Sequence, residues 1–108
     1  MIGVVEYLDD DGDSPFGRWF DRLDARAAAK VATARVKLAA EQMGNVKPVG
    51  EGVSEYRIDF GPGYRVYFGQ DGKRLVLLLL GGDRTTQPSD IAKAKTLWQD
   101  YKRRKKAI

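Results

Sequence analysis

Apolar and polar residues alternate most clearly between Ser54 and Gln70. A strand turns successive side chains to opposite faces, so Tyr56, Ile58 and Phe60 point one way while Glu55, Arg57 and Asp59 point the other. The next segment repeats the pattern, with Tyr64, Val66 and Phe68 on one side and Arg65 and Tyr67 on the other. The spacing predicts strands over about 54–60 and 64–70, with one apolar face and one open, charged face. Gly61-Pro62-Gly63 suits a tight turn between them, and Asp71-Gly72 signals a hairpin into a third strand over about 73–80. That third strand holds the run LVLLLL, which lacks alternation and reads as an interior strand covered on both faces, closed by Gly81-Gly82.

The remaining segments change period. Residues 2–8, IGVVEYL, read as a short edge or parallel strand ending at the acidic DDDGD turn. Ser14-Pro15 supplies an N-cap and a first-turn proline for a helix burying Phe16, Trp19, Phe20 and Leu23. Asp24 caps a second helix that runs to about Met43, with Gly44 as its stop. In it Ala25, Ala28, Ala32, Val36, Ala39 and Met43 follow helical spacing, opposite Arg26, Lys30, Thr33 and Lys37. NVKPVGEGV reads as a loop, and Pro88-Ser89-Asp90 opens a third helix with Ile91, Ala94, Trp98 and Tyr101 on one stripe. The expected order, β-α-α-β-β-β-α, describes one α+β domain over residues 1–108, with helices packed on a mainly antiparallel four-stranded sheet.

Composition narrows the chemistry. There is no cysteine, which excludes disulfides and thiolate metal sites, and no histidine, so catalysis must use Arg, Lys, Tyr, Asp or Glu. No apolar run approaches a membrane span and the first residues lack the positive charge of a signal peptide, so a soluble, cytoplasmic protein is expected. The net charge of +4 is polarised. Residues 1–24 hold seven acids against two arginines, and residues 91–108 hold seven bases against Asp100. The basic end suits a polyanion, since Lys and Arg that neutralise phosphates release condensed counterions. The alternative for Lys102 to Lys106 is a solvated tail.

The stretches Tyr56-Arg57-Ile58, Gly63-Tyr64-Arg65-Val66-Tyr67, Leu78-Leu79-Leu80-Gly81-Gly82-Asp83 and Asp90-Ile91-Ala92-Lys93-Ala94 together resemble the phage-related addiction-module killer proteins. These are a HigB-like branch of the RelE/ParE toxin superfamily, and the resemblance covers roughly residues 54–101. It implies a RelE-like fold and a type II toxin neutralised by a cognate helix-turn-helix antitoxin. RelE-like and HigB-like relatives cut mRNA on the ribosome without a metal or cofactor, whereas ParE-like relatives inhibit DNA gyrase. A basic RNA-binding domain is a third reading.

For cleavage, the resemblance makes Arg57, Arg65 and Arg84 the groups that stabilise charge on the phosphate under attack by the ribose 2′-hydroxyl. Tyr64 or Tyr67 would stack on a base or orient that hydroxyl, and Lys73, Lys93 and Lys95 would bind RNA. The segment DRTTQPSDI holds neither histidine nor tyrosine, which leaves Lys73 or Asp59 as general base. Structurally, Arg57 can instead pair with Glu55 or Asp59, with Arg65 as its cross-strand neighbour. Both arginines are expected on an exposed face, where substitution alters function more than stability.

Overall fold

The computed structural model describes residues 1–106, so the last two positions of the expected domain lie outside the described residues. The elements are β1 (Gly3–Glu6), α1 (Pro15–Asp21), α2 (Ala25–Ala39), β2 (Val46–Gly50), β3 (Val53–Ile58), β4 (Tyr64–Asp71), β5 (Leu75–Asp83), a 3₁₀ turn (Arg84–Thr86) and α3 (Gln87–Lys106). They form an α+β fold around one five-stranded sheet of order β1-β5-β4-β3-β2. β1 runs parallel to β5, and every other pairing is antiparallel.

Both expected helix starts are present. Ser14 Oγ accepts from the Gly17 N–H at 2.8 Å, and Asp24 Oδ1 accepts from the Ala27 N–H at 2.9 Å. The end of α2 differs from the expected Met43. The Glu41 and Gln42 N–H groups turn back onto the carbonyls of Leu38 and Lys37, and Glu41 adopts φ 61°. That is a Schellman ending with a non-glycine residue in the left-handed position. Glu41→Gly removes the Cβ clash there, partly offset by glycine's larger unfolded-state entropy, and should stabilise the fold by about 0.5–1 kcal/mol. A thermal melt no higher than that of the parent would show that the position carries no strain.

The sheet has five strands rather than four because residues 46–50, expected as loop, pair with β3 through Val46↔Tyr56, Lys47↔Glu55 and Pro48↔Ser54. Proline hides this strand from its sequence, yet an edge strand tolerates a residue without an N–H. A two-residue turn follows in which Glu51 and Gly52 both have positive φ, 56° and 84°, as a twisted hairpin requires. β5 also runs past Gly81-Gly82 to Asp83, since Tyr64, Arg65 and Val66 pair with Asp83, Gly82 and Gly81. A bulge beside Tyr67 and Phe68 leaves Leu79 unmatched and shifts the face alternation of β5. Gly81 therefore faces α1 and Gly82 faces α3: a Cβ on Gly81 would lie 2.0 Å from Trp19, and one on Gly82 2.0 Å from Asp90.

Two cores result. Phe16, Val31, Leu38, Tyr56, Val66 and Phe68 fill the space between the sheet and α1/α2. Val53, Tyr67, Leu77, Leu79, Ala94 and Trp98 fill the space beneath α3. The face expected to be open is thus covered by α3, and Tyr67 is 0% exposed.

The basic end is the last stretch of α3 rather than a tail. Arg104 donates to the Leu8 carbonyl at 2.7 Å and lies 2.8 Å from Asp100, which also accepts from the Tyr7 hydroxyl. On the neighbouring hairpin Asp71 accepts from Tyr101 at 2.7 Å and pairs with Lys105 at 2.6 Å. Burial and the bond to Asp100 push the Tyr7 phenol from 10.0 to about 12. The bond to Asp71, then burial, raises Tyr101 to about 12. Lys105 and Tyr101 hold Asp71 below the usual carboxylate range, and Tyr7 does the same for Asp100. The tyrosine contribution is complete below pH ~10 and is lost as pH rises through about 12; the aspartate contribution is complete above pH ~4 and is lost as pH falls through the lowered values. A melting profile flat across that window and falling at both ends is expected. Tyr7→Phe should lower the plateau and shrink the alkaline fall, and an unchanged alkaline arm would show that Tyr7 does not anchor α3.

Candidate nucleic-acid interface

The three arginines singled out in the sequence come together at one end of the sheet. Antiparallel pairing puts Arg57 directly opposite Arg65 on the α3 face. A Cβ placed on Gly63 would lie 3.3 Å from Arg65 Nη1 and 3.7 Å from Arg84 Nε, so both guanidinium groups converge on that turn. Arg84 is exposed on the 3₁₀ turn, and the Arg57 side chain is 46% exposed.

Two arginines facing one another repel unless an anion lies between them. Glu55, on the same strand face and only 1% exposed, supplies it. Its Oε1 accepts from Arg57 Nε at 3.1 Å, and its Oε2 lies 3.6 Å from Arg65 Nε, an ion-pair distance too long for a hydrogen bond. Gln87, the first residue of α3, donates to both carboxylate oxygens at 3.1 and 2.8 Å. Arg65 Nη1 donates to the carbonyls of Gly63 and Tyr64 at 3.0 and 3.3 Å. The expected pairing of Arg57 with Glu55 is therefore present, with the carboxylate buried beneath α3 and the Arg57 side chain still exposed at its rim. Arg65 is 9% exposed, so the expectation that it is a surface arginine neutral to stability is corrected.

The other candidates divide. Tyr64 lies on the opposite face, edge-on to Trp19 at 6.2 Å. Tyr67 does share the arginine face, but it is fully buried and its hydroxyl has no hydrogen-bond partner among the described residues, so it offers no surface to a base. Burial, with Glu55 and Asp90 nearby, raises its phenol well above the ordinary range, which keeps it neutral. Lys73 sits in the hairpin at the far end of β4, about 23 Å away at ~3.3 Å per residue. Lys95 pairs with Glu51 at 3.8 Å. Lys93 lines a cleft between α1 and α3 at the arginine end of the sheet. Asp59 shares a groove with Arg57, Lys30, Lys37 and Phe60.

Glu55 and Gln87 were not among the site residues expected from sequence. Strand alternation signals Glu55, whereas Gln87, 32 residues away, has no local signal at all. Among the described residues Asp9, Asp11 and Asp13 bring carboxylate oxygens within 4.8 Å of one another, but Asp9 Oδ1 already accepts from the Asp11 and Asp13 N–H groups. No described helix is long and apolar enough to cross a membrane.

No protein-family model matches the chain. Over 86 residues it is 43% identical to a protein of Haemophilus influenzae strain Rd that carries the description "Uncharacterized protein". The match spans 79% of this chain and 87% of that one. At that identity and coverage, the chain belongs to the same protein family as the Haemophilus influenzae protein.

Proposed function

We propose that the chain is a RelE/HigB-like toxin that arrests translation by metal-independent cleavage of mRNA on the ribosome. The observation that carries this reading is the convergence of Arg57, Arg65 and Arg84 at one end of the sheet. In such a reaction the ribose 2′-hydroxyl gives its proton to a base and attacks the adjacent phosphorus, the bond to the 5′-oxygen breaks as that oxygen takes up a proton from water and leaves as a 5′-hydroxyl, and a 2′,3′-cyclic phosphate remains. Negative charge grows on the phosphoryl oxygens. Fixed guanidinium groups oppose it without reorganising, which is the largest single contribution many enzymes make. On this reading Arg84 and Arg57 are the groups that touch the phosphate, which their exposure supports. Arg65 is a positioning residue, held by Glu55 and the Gly63 and Tyr64 carbonyls. Of the two bases left open by the sequence, Asp59 lies on the Arg57 side and Lys73 at the far hairpin, so Asp59 takes the role.

A ParE-like action on DNA gyrase is the second reading, favoured by one observation. Arg26, Lys30 and Lys37 form an exposed stripe on α2, and among the described residues none has a carboxylate within 4.0 Å. Expression from a tight promoter, with translation and DNA replication followed together, separates the two. Early translational arrest with cut ribosome-bound messages supports cleavage. Replication stopping first, with messages intact, would overturn it in favour of gyrase. A helix-turn-helix antitoxin, the ribosome with its mRNA, and a cytoplasmic setting belong to the same proposal.

A further inference from the structure

A second concavity lies across β5 from the arginine cluster. β1 pairs with β5 only as far as Glu6↔Leu78, and beyond it a cleft of about 630 Å³ opens between α1 and α3. Its floor is Leu80 to Asp83, and its size is that of a small-molecule site. Arg22 and Lys93 stand on its walls with no carboxylate within 4.0 Å among the described residues. Trp19, only partly buried, lines it with its indole packed over Gly81. Asp90 leans over Gly82, and its Oδ2 accepts from the Thr86 hydroxyl at 2.5 Å, which leaves Oδ1 without a hydrogen-bond partner among the described residues.

The two sites share one segment. Asp83 and Thr86 line the cleft while Arg84, between them, reaches the Gly63 turn. On the cleavage reading, an RNA strand with its phosphate at Arg84 would run its neighbouring nucleotide toward the cleft that Asp83 and Thr86 line. The walls match that nucleotide's parts: cations for a phosphate, an indole for a base face, and carboxylate acceptors for base N–H donors. Guanine offers N1–H and the 2-amino group on its pairing edge, whereas uracil offers a single N–H flanked by two acceptors that a carboxylate repels. We infer that the cleft between α1 and α3 is a nucleotide subsite that selects guanine over uracil, with Asp90 reading the base, Trp19 stacking on it, and Arg22 and Lys93 holding its phosphate. The assignment rests on the RNA-cleavage reading for the direction of the strand, though not for the binding itself.

Titration of the full chain with GMP, UMP and inorganic phosphate, followed through Trp19 emission, tests it. GMP should bind at least about fivefold more tightly than UMP, with Trp19→Phe abolishing the signal. Arg22→Ala and Lys93→Ala should each weaken GMP about tenfold. Asp90→Asn keeps an acceptor for Thr86 and should erase the preference for guanine, in binding and in the nucleotide at the cleavage site. Absence of a saturable change with GMP, or equal affinity for GMP and UMP, would overturn the subsite. Cleavage whose nucleotide preference ignores Asp90→Asn would sink it while sparing the toxin reading. Selective GMP binding by a protein that never cuts ribosome-bound mRNA would support the subsite and sink the toxin reading.

Discussion

Arg65→Ala should lower the stability of the fold by about 3 kcal/mol, a fall of more than ~10 °C in Tm for a domain of this size. The substitution leaves Glu55, 1% exposed, with one arginine and Gln87 in place of two arginines and Gln87. Removing one partner from a buried ion pair costs more than the pair contributes, because the remaining charge stays out of water. Glu55→Gln in the Arg65→Ala background should therefore recover part of the loss, since a neutral amide needs no cation. Arg65→Lys should fall between, keeping the charge but reproducing poorly the fork that holds the Gly63 and Tyr64 carbonyls. Urea titrations of the three variants check the order. A single Arg65→Ala variant that melts with the parent would mean that α3 does not seal this face in solution.

Arg84→Ala should do the opposite: it leaves the melting curve within about 0.5 kcal/mol of the parent and, on the proposed reading of the chain as an mRNA-cleaving toxin, lowers cleavage of ribosome-bound mRNA by about 100-fold. Arg84 is exposed on the 3₁₀ turn, whose geometry rests on Asp83 accepting from the Thr85 N–H at 2.8 Å and not on Arg84. Losing one preorganised donor to a developing phosphorane typically has an effect of that size. Arg84→Lys should restore little, because a point charge does not reproduce two parallel N–H bonds. Primer extension on messages from ribosomes measures the loss, and the same variant should be tolerated by cells. Undiminished cleavage by Arg84→Ala would remove the arginine cluster from the chemistry.

Taken together, the pair of variants separates two roles that strand alternation alone assigns to one surface. Arg57 and Arg65 do share a face, in register, as period-two patterning requires. What covers that face is a long-range matter. Alternation between charged and apolar positions reads as a solvated side, and nothing near residue 65 reports that α3, beginning 22 residues later, lies across it. The missed strand has a similar cause. Val46–Gly50 carries proline and glycine because it is an edge, where pairing with β3 outweighs weak local preference.

Local chemistry in the sequence determined the helix starts at Ser14 and Asp24, the two β-turns around residues 61–63 and 71–72, the doubly covered run in β5 and the common face of Arg57 and Arg65. Each is signalled by capping groups, turn residues, side-chain alternation or an unbroken apolar run within a few residues, which a sequence displays directly. Only the tertiary structure decided that Glu55 is a buried counterion, that Tyr67 is core, that Lys102 to Lys106 end a docked helix, and that Arg84 meets Arg65 at Gly63. Those outcomes depend on which distant element removes water from a group. Desolvation is set by whatever packs above a residue, a property its neighbours in the chain do not encode.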